Sequence, residues 1–380
     1  MEVLICSDSF KHSLSAYEAC QRLAEGLKAE AAGVVVGKLP LADGGEGTVR
    51  ALIDATDGVL HERQVHDPLM RETTATYGVM GDGETAVIEM AAASGIEKLE
   101  AQERNPFVTT SYGTGELIRA AMEGGCRRII LGIGGSATID GGAGMLQALG
   151  ARFYDKNGQL LNPTTEKLNY IERIDTEKMD PRLQQISIAI ASDVDNPLTG
   201  PNGAAYVYGP QKGAEKGDLK ILDQNLAAYA RVLQQHTQED MMTRPGTGAA
   251  GGMAISLLAF SRASLENGFQ LVAKALNLEQ AIASSDMIIT GEGQIDAQTH
   301  YGKTPAGVAR LAHKHNKPVI AVTGSLEANP PGLFDLLLPV MEKPMDNQAA
   351  LSAAGELLFN AGSRIGKILL LAKRLYSPEN

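Results

Sequence analysis

Residues 3–39, VLICSDSFKHSLSAYEACQRLAEGLKAEAAGVVVGKL, contain the pattern that decides the fold. Val3–Cys6 is a short apolar run, and Val34–Leu39 is a second run rich in β-branched residues. Between them, Ser15 and Glu18 have the spacing of a helix capping box, and apolar residues follow at helical spacing. A strand, a helix and a second strand in this order are typical of a parallel α/β sheet.

The same alternation returns near the C-terminus. Met287–Ile289 and Pro318–Val322 are apolar runs of strand length, and they flank a predicted helix over Pro305–His315. Thr304 precedes this helix as its N-cap. Apolar residues at 3.6 spacing predict one long closing helix over 346–372. We therefore expect the two ends of the chain to build one α/β domain.

The middle of the chain has a different pattern. Residues 73–90 form two β-rich runs around Gly81-Asp82-Gly83, which predicts a hairpin and hence antiparallel structure. Residues 195–217 are rich in proline and glycine and predict a long ordered loop, whereas residues 218–237 predict a helix. We expect this part to form a second, inserted domain of mixed α/β structure.

Composition restricts the function and the compartment. A chain of 380 residues favours two or three domains. The net charge of −11 argues against nucleic acid or an anionic membrane as the main partner, since both attract basic proteins. Three scattered cysteines have neither metal nor disulfide spacing, which favours reduced thiols in the cytoplasm. We find no signal-peptide pattern and no apolar run long enough to span a membrane.

Residues 132–144, GIGGSATIDGGAG, follow an apolar run and include six glycines. So many glycines favour a backbone that bends tightly or approaches a ligand closely. The interpretation we favour is a loop whose backbone amides hold phosphate groups. The candidate contacts are Gly134, Gly135, Ser136, Gly141 and Gly142.

Two alternatives for this loop stay open. Gly132, Gly134 and Ala137 match a dinucleotide-binding fingerprint, with Asp155 at the distance of its acidic residue. However, the glycines that follow would delay the helix to Gly142–Ala143, whereas a dinucleotide fold starts its helix at the third small residue. The other alternative is a tight strand–helix crossing with no ligand.

Lys303 is a second candidate for a phosphate contact. The motif Gly302-Lys303-Thr304 resembles the end of a P-loop, but Ala297 stands where that motif needs its first glycine. Lys303 nevertheless precedes a predicted helix, and the N-terminus of a helix favours an anion. The alternative is a lysine that only faces solvent.

Acidic residues follow four predicted strands. Because the carboxyl ends of parallel strands share one edge, we expect them to face a common ligand site. Carboxylates can hold Mg²⁺ and orient an attacking hydroxyl group, as phosphoryl transfer requires. Lys11, after the first strand, could pair with a carboxylate or phosphate. Each acid could instead cap a helix. The acids are Asp8, Asp43, Glu46, Asp193, Asp195, Glu292 and Asp296.

Taken together, these motifs resemble the bacterial type I glycerate kinases. The matching stretches, in chain order, are SDSFKHSLSA, PLADGGEGT, EMAAASG, TTSYGTGELI, GIGGSATIDGGAGMLQALG, DVDNPLTGPNGAAYVYGPQKGA, PGTGAAGGM, ITGEGQIDAQT and GKTP. The resemblance implies an ATP- and Mg²⁺-dependent kinase that phosphorylates D-glycerate. It favours 2-phosphoglycerate as the product, with 3-phosphoglycerate possible. It also implies two α/β domains, one of them flavodoxin-like, with the site in the cleft between them.

We assign roles to the candidate residues within this framework. Asp193 or Asp296 would orient the hydroxyl of glycerate, and Lys11 would meet its carboxylate. The glycine loop and Lys303 would hold the nucleotide phosphates. Asp8 and Glu292 are the candidate Mg²⁺ ligands.

We expect two domains. The flavodoxin-like domain would comprise 1–62 and 285–380, with 106–150, and the inserted domain 63–105 and 151–284. An NAD-dependent 2-hydroxyacid dehydrogenase and a non-catalytic nucleotide-binding protein are the alternative functions. The sequence does not indicate an oligomeric state.

Overall fold

The chain forms two compact units. The computed structural model describes residues 1–237, 239–295, 304–327 and 332–376. Unit 1 comprises Met1–Asp43, Arg50–Thr56 and Phe269–Asn380, and unit 2 comprises Gly44–Val49 and Asp57–Gly268. Within the described ranges, no helix is long and apolar enough to cross a membrane.

Strands and helices are numbered along the chain. The strands are β1 (Glu2–Ser7), β2 (Val35–Lys38), β3 (Val59–His66), β4 (Glu72–Val79), β5 (Thr85–Glu89), β6 (Arg128–Gly132), β7 (Arg152–Tyr154), β8 (Leu160–Leu161), β9 (Arg173–Asp175), β10 (Ser187–Ala191), β11 (Arg262–Glu266), β12 (Met287–Ile295), β13 (Val319–Leu326) and β14 (Leu336–Pro339). The helices are α1 (Ala16–Glu30), α2 (Thr48–Ala55), α3 (Ala91–Ser94), α4 (Tyr112–Glu123), α5 (Ala143–Ala148), α6 (Ala204–Tyr208), α7 (Leu219–Thr237), α8 (Ala254–Phe260), α9 (Gly268–Ala275), α10 (Leu278–Ser284), α11 (Thr304–Lys314), α12 (Asn347–Ser352) and α13 (Ala354–Tyr376).

Unit 1 contains a five-stranded sheet in the order β14-β13-β12-β1-β2. All neighbouring strands are parallel, and the register pairs Val3 with Met287 and Ser7 with Gly291. This is the strand order of flavodoxin-like sheets. The chain adds strands to one side of β1 and then to the other, so the order of the strands reverses between β1 and β12. Ligands bind at such a switch point, beyond the carboxyl ends of the strands. The carboxyl ends of β1 and β12 are therefore where a site is expected.

Helices α1 and α13 pack closely in unit 1. The predicted capping box is confirmed: the Ser15 side chain accepts from the Glu18 amide, and the Glu18 side chain accepts from the Ser15 amide. Gly26 of α1 faces the backbone of Phe359 so closely that a Cβ atom there would overlap its carbonyl. The closing helix predicted over 346–372 is two helices in the structure, because α12 ends at Ser352 and only Ala353 separates it from the start of α13.

Unit 2 contains a six-stranded sheet in the order β11-β10-β6-β5-β4-β3. Strands β11, β10, β6 and β5 are parallel neighbours, whereas β4 is antiparallel to β5 and to β3. The predicted hairpin is confirmed, since β4 and β5 flank its glycine turn. Strands β8, β7 and β9 form a small antiparallel sheet.

The domain bounds and one predicted loop differ from the structure. Residues 44–49, 57–62 and 106–150 were expected with the chain ends, but they lie in unit 2; for 106–150 the reason is that β6 pairs with both β5 and β10. Residues 269–284 were expected in the inserted domain, but they lie in unit 1. The predicted loop over 195–217 contains a short helix, α6, followed by a 3₁₀ turn over Pro210–Lys212. The start of the helix after the glycine loop, predicted near Gly142–Ala143, is confirmed by α5.

Candidate active site

A cavity of about 490 Å³ lies at the switch point of the unit 1 sheet. Asp8 and Lys11 reach it from the loop after β1, and Asp43 also lines it. Glu292 was expected to follow a strand that ends at Ile289, but β12 runs to Ile295 and Glu292 lies within it, one residue beyond the pair of Ser7 and Gly291 that ends β1. Three residues predicted to act at the site, Asp8, Lys11 and Glu292, therefore share one cavity beyond the carboxyl end of β1.

Asp8 is held by two hydrogen bonds and has a raised pKa. Its Oδ2 accepts from Thr304 Oγ1 at 2.7 Å, and its Oδ1 accepts from the Ser9 amide at 2.6 Å. Burial raises the pKa of Asp8 to about 6, and the nearby Asp43 carboxylate acts in the same direction. The two hydrogen bonds and the Lys11 ammonium oppose that rise. The contact with Thr304 places the first residue of α11 directly beside this carboxylate.

The glycine loop of unit 2 is exposed only in part. Gly134 and Gly135 are exposed, whereas Ser136 and the residues that follow to Leu146 are buried. Gly135 has φ +71°, a conformation that favours glycine. Its carbonyl accepts from the Ile96 amide at 2.8 Å. Within the part of the chain that the structure describes, the amides of Gly134, Gly135 and Ser136 donate to no protein acceptor.

The rest of this loop is organised around the buried carboxylate of Asp140. It accepts four hydrogen bonds: from the Ser111 amide at 2.7 Å, from Ser111 Oγ at 2.8 Å, from the Gly142 amide at 3.1 Å and from the Gly144 amide at 3.3 Å. Burial raises the pKa of Asp140, and these hydrogen bonds partly offset the rise. The Gly141 amide donates to the Gly251 carbonyl. Gly141 and Gly142 thus use their amides within the protein.

A buried ammonium group supports the exposed turn. Lys212 Nζ donates to Ser136 Oγ at 2.6 Å and to the Thr138 carbonyl at 2.7 Å, with only 2% of the residue exposed. Burial lowers the pKa of Lys212 to about 7, and the Asp140 carboxylate acts in the opposite direction. Sequence reasoning missed this residue, because nothing in its local pattern indicates that the side chain is buried.

Asp193 lies beside the glycine loop at the same sheet edge. The register pairs Ala191 of β10 with Gly132 of β6, so Asp193 and Gly134 each follow by two residues. Asp193 is exposed, and its Oδ1 accepts from Asn267 Nδ2 at 2.6 Å and from the Gly268 amide at 2.9 Å. The carboxylate is thereby held against the chain that follows β11.

Two predicted site residues lie outside the described residues. Asp296 and Lys303 fall in the gap between 295 and 304. Nothing therefore tests the predicted role of Asp296 in orienting a hydroxyl or of Lys303 in contacting phosphate, and both stay predictions.

A parallel sheet with carboxylates and a lysine at its switch point is typical of α/β proteins that bind small polar ligands. Comparison with known proteins identifies the family within this class. A sequence model of the glycerate kinase family matches residues 3–370. A glycerate kinase from Bacillus subtilis (strain 168) is 44% identical over 380 residues, covering 99% of this chain and 100% of the relative. A glycerate 2-kinase from Escherichia coli (strain K12) is 49% identical over 326 residues, 86% of each chain.

Structural comparison gives the same answer. The crystal structure of a candidate glycerate kinase 2 from Salmonella typhimurium LT2 superposes with a TM-score of 0.92 at 44% identity, covering 98% of this chain and 99% of that one. The chain belongs to the glycerate kinase family and is an enzyme of that type. Its membership supports phosphorylation of glycerate and the use of a nucleotide, and it removes the grounds for the dehydrogenase alternative.

Proposed function

We propose that this enzyme transfers the γ-phosphoryl group of ATP to the 2-hydroxyl of D-glycerate, with Mg²⁺, in the cytoplasm. The observation that carries the proposal is the cavity at the switch point of unit 1, because Asp8, Lys11 and Glu292 line it together. Phosphoryl transfer depends on positioning and on charge compensation, which such residues can supply. The name of the relative from Escherichia coli supports attack by the 2-hydroxyl rather than the 3-hydroxyl.

The acids of this cavity fit Mg²⁺ by their chemistry. Mg²⁺ prefers oxygen ligands and usually keeps several waters, with one or two protein carboxylates. Asp8 and Glu292 would be those carboxylates. Within the described ranges no group of three or more acid, histidine or cysteine side chains is arranged to hold a metal ion, so water and phosphate oxygens would complete the set. When bound, Mg²⁺ would neutralise charge on the transferred phosphoryl group.

The remaining residues of unit 1 would bind the anionic groups of the reactants. Lys11 would meet the carboxylate of glycerate through its ammonium group. The N-terminus of α11, eleven residues long, favours negative charge, and Thr304 brings it beside Asp8. Lys303 would extend this positive end toward the nucleotide phosphates.

Unit 2 would contribute backbone donors and one carboxylate. Among the residues that the structure describes, the amides of Gly134, Gly135 and Ser136 have no protein acceptor, which supports a phosphate contact at this turn. Gly141 and Gly142 would act by shaping the loop, since their amides are already engaged. Asp193 or Asp296 would orient the hydroxyl of glycerate. That both units serve one cleft remains a prediction of the family resemblance.

The reaction and its regiochemistry can be tested in one experiment. The enzyme is incubated with D-glycerate, ATP and Mg²⁺, and the product is followed by proton-coupled ³¹P NMR. Phosphate on the 2-hydroxyl couples to the single proton on C2 and gives a doublet. Phosphate on the 3-hydroxyl couples to both protons on C3 and gives a triplet. We expect the doublet, together with the signals of ADP.

Three controls accompany this experiment. L-Glycerate replaces D-glycerate in the first, EDTA is added in excess over Mg²⁺ in the second, and ATP is replaced by GTP in the third. A triplet would contradict the proposed regiochemistry alone. Full activity in EDTA would contradict the role of Mg²⁺. ADP release without a phosphoglycerate signal would contradict the proposed reaction.

A further inference from the structure

Part of the lining of the unit 1 cavity is apolar, and these side chains have no role in phosphoryl transfer. Met341 and Leu351 line it, and each is 42% exposed. Ala354 and Leu357, at the start of α13, continue the same wall. Large apolar side chains that share an open cavity with carboxylates are typical of a binding site for a ligand with an apolar part.

The two reactants differ in the apolar surface that they could pack against these side chains. Glycerate has three carbons that carry a carboxylate and two hydroxyl groups, so it has no apolar face. A nucleotide carries polar phosphates and ribose, and its base is flat and largely apolar. Of the two reactants, only the nucleotide has a group that would bury the apolar surface of Met341 and Leu351.

We propose that the wall formed by Met341, Leu351 and Leu357 binds the purine base of the nucleotide, in the same cavity as Asp8 and Glu292. This subsite rests on the proposed function and names the part of the substrate that unit 1 recognises. The apolar contacts supply affinity for the base, and the carboxylates that line the same cavity serve the phosphate end.

The size and the polar groups of the cavity agree with this occupant. A volume of about 490 Å³ falls within the ~300–1,000 Å³ of sites for ligands of drug or nucleotide size. Asn347 and Ser325 also line the cavity and provide directional hydrogen bonds to an edge of the base. Met341, unbranched and polarisable, adapts to a flat ring and makes favourable contacts with aromatic systems.

Direct binding measurements separate the base from the phosphates. Leu351→Ala and Met341→Ala remove parts of the wall at exposed positions, so both variants are expected to fold. Leu371→Ala is the matched control, because Leu371 lies on α13, is 57% exposed and does not line the cavity. Isothermal titration calorimetry measures the affinity of each protein for ADP and for inorganic pyrophosphate, and thermal melting checks the fold.

We expect each wall variant to bind ADP about 5–10-fold more weakly, as a lost apolar contact predicts, with pyrophosphate affinity unchanged within about twofold. In steady-state kinetics the KM for ATP should rise by a similar factor, while kcat and the KM for glycerate stay constant, because the base does not react. Leu371→Ala should match the wild type throughout.

Two results would overturn the proposal. One is wild-type affinity for ADP in both wall variants, which would mean that the base binds elsewhere. The other is an equal loss of ADP and pyrophosphate affinity, which would mean that the variants disturb the phosphate end. These binding data stay decisive even if the wild-type enzyme transfers no phosphoryl group to glycerate, so failure of the subsite and failure of the proposed reaction are distinguishable.

Discussion

Asp140 controls the order of the glycine loop in unit 2, and its removal should destabilise that unit strongly. Asp140→Ala leaves four donors without an acceptor: the Ser111 amide and hydroxyl, and the amides of Gly142 and Gly144. A buried donor without a partner costs about 1–3 kcal/mol. The variant also leaves the buried Lys212 ammonium without the Asp140 charge that favours it.

The net loss is smaller than the sum of these terms. Burying the Asp140 carboxylate is itself unfavourable, as its raised pKa indicates, and the variant removes that cost. We therefore expect a loss of about 3–5 kcal/mol in the free energy of unfolding, the range found when one partner of a buried charged network is removed. In a domain of 150–250 residues, each 1 kcal/mol lowers Tm by about 2–4 °C, so Tm should fall by about 6–20 °C.

Thermal melting measures the loss of stability, and hydrogen exchange shows which backbone amides lose protection. Ser111→Ala removes the hydrogen bond from its hydroxyl to Asp140 and leaves the Met145 amide without its acceptor, and it should cost about 1.5–3 kcal/mol. Glu177→Ala, at an exposed carboxylate, should cost less than about 0.5 kcal/mol. In Asp140→Ala, amides over 140–145 should exchange faster than those of β6. A loss below about 1 kcal/mol for Asp140→Ala, or protection retained over 140–145, would refute this account of the loop.

Four further outcomes follow from individual contacts. Gly26→Ala should destabilise unit 1 by about 1–3 kcal/mol, because the new methyl group overlaps the Phe359 carbonyl, and an unchanged Tm would contradict that packing. The pKa of Asp8 is about 6 in the folded state against an ordinary 3.8, so between these pH values folded unit 1 binds more protons than the unfolded chain. Its free energy of unfolding should therefore fall as pH rises through 6. Asp8→Asn should reduce this dependence of the free energy of unfolding on pH, measured by urea titration without Mg²⁺. Gly135→Ala should raise the KM for ATP several-fold, because alanine is strained at φ +71°, with the KM for glycerate as the internal control. Asp193→Asn should lower kcat by more than about tenfold, or about 1.4 kcal/mol, if Asp193 orients the hydroxyl; a smaller loss assigns that role elsewhere.

Local signals in the sequence determined much of the fold. Three predicted elements depend on residues close together in the chain: the capping box of Ser15 and Glu18, the hairpin around Gly81-Asp82-Gly83 and the helix predicted over Pro305–His315, which is α11 (Thr304–Lys314) in the structure. Such elements can be predicted from the sequence because their hydrogen bonds join residues that are close in the chain. The placement of residues 106–150 was wrong because it depends on which strands pair with β6, and pairing between distant segments leaves no local pattern.

Part of the candidate site could also be predicted from the sequence. Asp8, Lys11 and Glu292 could be predicted to meet because parallel strands end at one edge of a sheet. Lys212 and Asp140 could not, since their importance arises from burial by segments far away in sequence. The apolar wall of unit 1 was also missed, because Met341 and Leu351 have the pattern of ordinary core residues until the structure shows them exposed in a cavity.

Glycine density alone does not identify a ligand site, and the loop over 132–144 shows why. Gly144 packs so closely against Thr110 that a Cβ atom would overlap its side chain, and the amides of Gly141 and Gly142 bind acceptors within the protein. These glycines serve close internal packing, which a phosphate-binding loop and a plain strand–helix crossing both require. What separates the two cases is a donor without an internal acceptor at an exposed position. Within the described part of the chain, Gly134 and Gly135 meet that condition, so they, and not the buried half of the loop, are where a bound phosphate should be sought.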